Sequence, residues 1–113
     1  MESDMNIRFE YLYRDAGNYK IWGELVFTNR KNLDVTDLNS RLIAQLISNQ
    51  FFEAEKVAIP RLRFENYDET LDHGWHEFHS LSATEDDADD ALQRDIEDIL
   101  ASFEMASKTW LHY

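Results

Sequence analysis

Cysteine is missing altogether from this chain of 113 residues; proline occurs once, as Pro60, and glycine only as Gly17, Gly23 and Gly74. Without cysteine there is no disulfide framework, no thiolate metal site and no thiol nucleophile. The fold must be held by its own apolar core, which a chain of this length can supply. Three scattered glycines leave no phosphate-cradling loop. There is no Walker loop and no dinucleotide fingerprint, and neither a nucleophile elbow nor a zincin motif occurs. No apolar run approaches the length of a membrane span. The opening Met1-Glu2-Ser3-Asp4 is acidic and has no apolar stretch of the secretory type, so a cytoplasmic setting is expected.

Positive charge is also scarce, and its scarcity is uneven. The net charge is −12. Up to Asn66 there are nine Lys/Arg against ten Asp/Glu, whereas from Tyr67 onward there are two against thirteen. A field of this sign opposes binding to nucleic-acid phosphates and anionic membranes, and favours basic partners.

What is present is organised around residues 7–28. Ile7, Phe9, Tyr11 and Tyr13 alternate with Arg8, Glu10, Leu12 and Arg14, the pattern of a half-buried strand. Residues 19–28 repeat it, with Tyr19, Ile21, Leu25 and Phe27 on one side and Lys20, Trp22, Glu24 and Val26 on the other. Asp15-Ala16-Gly17-Asn18 between them is a hairpin turn in which Gly17 is expected to take positive φ. Gly23 marks a bulge or a close approach of another backbone.

A helix follows, capped by Asp34 or Thr36, with Leu38, Leu42 and Leu46 every fourth residue, Ile43 and Ile47 beside them, and Asn49 as its terminator. A third strand is expected across 51–65, interrupted at Pro60, and a fourth across 75–83. In the fourth, Trp75, Glu77, His79 and Leu81 share one face and His76, Phe78 and Ser80 the other. The last helix is expected to start at Thr84-Glu85-Asp86-Asp87, read as a capping box. Its stripe runs through Ala88, Ala91, Leu92, Ile96, Ile99, Leu100, Phe103, Ala106 and Trp110. The order is ββαββα. It predicts an α+β domain spanning 1–113, with a four-stranded, mainly antiparallel sheet and both helices on one face.

Two functional readings follow. In the first, the chain is a non-enzymatic module that binds another, basic protein: an inhibitor, an immunity-type or an accessory protein. Glu85, Asp86, Asp89, Asp90 and Glu97, together with Asp87, Asp95 and Asp98, would line the solvent side of the last helix and attract that partner. Trp22 and Trp75 would anchor it. A solvated helix face with a good cap is the commoner meaning of such an acidic run. In the second reading, the sheet face without helices holds a nucleotide or other anion, or a small active site, through Arg14, Lys20, Arg61, Arg63, Glu77 and His79. These same charges also suit an ordinary solvated hairpin and strand. The run Asp72-His73-Gly74-Trp75-His76-Glu77-Phe78-His79 invites a metal reading. On a strand, however, His76 and His79 face opposite sides and do not share an ion. No catalytic residue, metal or cofactor is assigned. The aromatic tail Trp110-Leu111-His112-Tyr113 suggests docking on the chain's own core or contact with a second copy through the last helix and tail.

Three segments resemble small, uncharacterised proteins of bacteria and their mobile elements: Phe9-x-Tyr-x-Tyr13-Arg-Asp-Ala-Gly-Asn-Tyr-Lys20, Ala54-Glu-Lys-Val-Ala-Ile-Pro60-Arg-Leu62 and Asp72-His-Gly-Trp-His-Glu-Phe78. The resemblance covers most of residues 9–78 and leaves out the acidic C-terminal part. It implies a bacterial-type cytosolic setting and carries no site residue.

Overall fold

The computed structural model describes residues 5–14, 17–62 and 75–110. Among them, four strands, β1 (Asn6–Arg14), β2 (Lys20–Phe27), β3 (Phe51–Glu53) and β4 (Trp75–Thr84), form one antiparallel sheet in the order β2-β1-β4-β3, with two α-helices, as the α+β pattern requires.

β1 (Asn6–Arg14) and β2 (Lys20–Phe27) pair in unbroken register from Ile7↔Phe27 to Arg14↔Lys20. Ile7, Phe9, Tyr11 and Tyr13 are all buried, as their alternation predicts. The turn reaches β2 through Asn18 in the left-handed region (φ 68°), and no described glycine takes positive φ. Asn tolerates that region because its short polar side chain bonds locally; here Asn18 Oδ1 accepts from Arg14. Gly23 is not bulged, since it pairs directly with Tyr11. A Cβ there would stand 3.0 Å from the Tyr11 ring and from Leu62, so the close approach is made by side chains and not by a backbone.

The bulge lies instead in β4 (Trp75–Thr84). Tyr11 pairs with Phe78 but Glu10 with Ser80, leaving His79 as the extra residue. One extra residue shifts the phase of every position after it. Leu81 is therefore buried opposite Phe9, and Ser80 joins Glu10 on the other side, reversing the faces expected for both.

β3 is only Phe51–Glu53. The expected continuation through Pro60 is replaced by a 3₁₀ turn, Ala54–Val57, ending on Ala58 at φ 51°. Residues 58–62 then lie over the end of the core face. The Pro60 carbonyl accepts from the Tyr11 hydroxyl (2.6 Å), and Leu62 N–H donates to Nε2 of buried His76 (2.9 Å). The rest of that expected strand, residues 63–65, falls outside the described residues.

α1 (Val35–Ile43) is capped by Asp34, whose carboxylate accepts from Asp37 N–H, and it buries Leu38 and Leu42. It is shorter than its stripe suggests: Leu46 and Ile47 are buried beyond its end, Ile43 is exposed, and Ser48 and Asn49 are left-handed. The Asn39 amide pairs with both backbone groups of Leu81 at 3.0 Å, tying α1 to β4 where β3 has ended.

α2 (Ile96–Ser107) begins twelve positions after Thr84, the residue expected to cap it. The capping box present is Asp95 with Asp98. Thr84 is instead the last residue of β4, and Ala88, Ala91 and Leu92 are exposed. From Ile96 on the stripe holds: Ile96, Ile99, Leu100, Phe103 and Ala106 are buried. Both helices cover the Phe9 face, where Phe9, Phe52 and Phe103 meet with centroids 5.3–5.9 Å apart. Trp110 docks on this same core, against Phe103 and with Nε1–H donated to the Gln45 carbonyl (2.7 Å). Residues 111–113 lie outside the described residues. No described helix is long and apolar enough to cross a membrane.

Candidate interaction surface

Residues 85–95 carry most of the proposed acidic site, and they form no helix. They run as an irregular strap along the edge of β2, held by their own carboxylates. Such side chains compete with helix formation by offering backbone N–H groups another acceptor. Asp89 Oδ1 accepts from Val26 N–H (2.7 Å), and Asp89 N–H donates to the Val26 carbonyl (3.0 Å). Asp86 takes the Arg8 guanidinium. Asp90 is buried and receives Arg94 Nε (2.9 Å), Nη2 (3.1 Å) and N–H (3.0 Å). Arg94 also donates to the carbonyls of Val57 and Ala58 and lies over the Phe27 ring. Asp95 caps α2 and accepts from Thr28 Oγ1 (2.8 Å) and Arg30 N–H (2.9 Å).

Burial acts to raise the carboxyls of Asp90 and Asp95. The hydrogen bonds and charge that Arg94 gives the first, and those that Arg30, Thr28 and Glu97 give the second, outweigh it and hold both below the ordinary value. Glu97 pairs with Lys31 at 3.2 Å. Of the acids proposed to attract a partner, Glu85 and Asp87 alone are both exposed and without a partner among the described residues. The expected row of solvated carboxylates is thus largely a structural clasp. Arg94, which sequence reasoning passed over, is its cationic centre; the Asp90-x-x-x-Arg94 spacing was the available signal.

The sheet face opposite the helices carries Arg8, Glu10, Leu12 and Arg14 from β1 and Lys20, Trp22 and Glu24 from β2. Trp22 is 53% exposed and meets His79 edge-on at 5.1 Å. Trp75 is less exposed than Trp22 and stacks on Phe51 (5.3 Å), which leaves less of its ring open to a partner. Arg14 Nε and Nη2 approach the Glu77 carboxylate at 2.8 and 3.4 Å, and Gln50 donates to it at 2.8 Å. Desolvation alone would raise the Glu77 carboxyl. Hydrogen bonds from Arg14 and Gln50, with the charges of Arg14 and Lys20, hold it lower.

The proposed anion-binding set is therefore only partly assembled. Arg14, Lys20 and Glu77 share a neighbourhood, with His79 beside Trp22, but Arg61 is drawn off to Glu55 (2.8 Å). Arg63 lies outside the described residues. An incoming phosphate would have to displace Glu77 from Arg14. Among the described residues no group of three His, Asp or Glu is placed to hold a metal ion. Comparison with known protein families, with curated proteins and with solved structures finds no match to this chain.

Proposed function

We propose that the protein is a non-enzymatic binding module that recognises another, basic protein through its preformed surface, in a cytosolic setting of bacterial type. The observation that carries this reading is Trp22, a large aromatic left half in solvent on an open sheet face of a chain with net charge −12. Exposed aromatics are the side chains that dominate interface energy, and the surrounding field steers a basic partner toward them. The small-ligand alternative is less favoured because two of its cations, Arg14 and Arg61, already pair with carboxylates of this chain.

The test is retention of basic proteins on immobilised wild type and on two variants, Trp22→Ala and Glu85→Gln/Asp87→Asn. Neither variant touches the structural carboxylates. Binding that falls steeply with added salt and weakens at least about tenfold with Trp22→Ala supports the proposal. Retention indifferent to salt and to both variants refutes it. A melting-temperature rise with nucleotides that Arg14→Ala removes would establish the alternative instead.

A further inference from the structure

β2 is an edge strand, and among the described residues its outer edge is occupied along only part of its length. In an antiparallel pair, alternate residues turn their N–H and C=O groups toward the neighbour and away from it. Val26 turns away from β1, because both its backbone groups meet Asp89. Thr28 follows the same parity: its carbonyl accepts from Ile96 N–H, and it bridges to Asp95. The parity carries back to Glu24, Trp22 and Lys20. Their outward backbone groups have no partner among the described residues, because the 85–95 strap stops at Val26. Unpaired edges of this kind are templates for strand addition.

The side chains along this open stretch are self-complementary. We propose that it pairs antiparallel with the same stretch of a second copy, about a twofold axis at Trp22. Trp22 then opposes Trp22 of the second copy, and Lys20 opposes its Glu24 at both ends. Residues 20, 22 and 24 all fall in hydrogen-bonding register, so each opposed pair exchanges N–H···O bonds. On the open face the two Trp22 side chains come together, flanked by opposite charges directly across the ladder, an arrangement that stabilises strand pairs. Among the described residues Lys20 makes no ion pair, and Glu24, its side chain 55% exposed, pairs with Arg8 alone. A one-position slip would turn one copy's outward groups against the other's inward ones, so the charge pattern and the backbone parity select the same register. The contact is short, which places the assembly among weak, concentration-dependent dimers.

This inference and the proposed basic partner both use Trp22, and salt separates the two. Each copy carries net charge −12, so screening that mutual repulsion outweighs the loss of two exposed ion pairs and strengthens the dimer. Capture of a basic partner weakens with salt.

The experiment is sedimentation equilibrium of the full chain over a wide concentration range, with amide hydrogen exchange on the same samples. Expected is a monomer–dimer equilibrium in which the amides of Lys20, Trp22 and Glu24 gain protection as dimer forms. Lys20→Glu and Glu24→Lys should each weaken it about tenfold, by setting like charges opposite one another. The double exchange Lys20→Glu/Glu24→Lys should restore it, with far-UV circular dichroism confirming that each variant is folded. A chain monomeric at every concentration overturns the proposal. So does a dimer in which these three amides exchange as in the monomer, which would place the contact elsewhere, for instance along α2. Protection that appears only when a basic peptide is added overturns the second copy as occupant and assigns the edge to strand addition by the partner. The hydrogen-exchange arm needs no variant.

Discussion

Tyr11 ties β1 to β2, to β3 and to the segment around Pro60. Its ring packs beside Phe9 and Phe52, fills the space over Gly23, and its hydroxyl reaches the Pro60 carbonyl. Gly23→Ala forces a Cβ to 3.0 Å from that ring and from Leu62, and the cost expected from overpacking is about 1–3 kcal/mol, measurable by urea denaturation. Burial also pushes the Tyr11 phenol up to about 12. The unfolded chain then releases this proton near the ordinary tyrosine value, below the folded one, so unfolding is favoured as pH rises between them. Stability should be full below about pH 10 and fall toward pH 12, and Tyr11→Phe should flatten that alkaline limb at a cost of about 1 kcal/mol at neutral pH. A wild-type limb identical to that of the Phe variant would contradict the assignment.

At the scale of elements, the strap before α2 replaces a helix that two equivalent signals could have started. Thr84-x-x-Asp87 and Asp95-x-x-Asp98 both read as capping boxes, and nothing local ranks them. The choice is made by partners distant in sequence: Val26 for Asp89, Arg8 for Asp86, and Thr28 and Arg30 for Asp95. Asp95→Ala removes the cap and orphans those donors, so a loss of about 2–3 kcal/mol is expected in thermal or urea unfolding. Asp90, Asp95 and Glu77 are all held below ordinary carboxyl values. As pH falls, the unfolded chain takes up these protons first. Their contribution is therefore complete above about pH 5 and is lost as pH falls below the ordinary carboxyl range, and Asp90→Asn should shallow that acid limb. β1 was legible because large apolar residues occupy every second position. The phase of β4 was not, since His79 becomes a bulge only through its register against β1. β3 was overread because Leu62 and Phe64 keep strand spacing, whereas Leu62 is committed to His76. On the candidate surface, the shared face of Trp22, Arg14 and Lys20 follows from alternation, whereas their meeting with Glu77 depends on the pairing of β4 with β1. The structural use of Asp86, Asp89 and Asp90 depended on contacts between distant segments that no periodicity records.

For the whole molecule, a net charge of −12 sets long-range self-repulsion against short-range pairs such as Arg8–Asp86 and Arg94–Asp90. Screening long-range repulsion outweighs weakening the pairs, because Asp90 and Arg94 are shielded from solvent. The melting temperature should rise as sodium chloride goes from about 0.01 M to about 0.2 M, and a fall would show that local pairs dominate.

The bound half of the β2 edge has a consequence for how far association can travel. A sheet open along both margins can recruit copy after copy and grow into a fibril. Here the strap closes one part of the margin, and the remaining part matches only itself about a twofold axis, so two copies use it up. What they would then show at either extremity is β3, three residues long, too brief a template to seed a further layer.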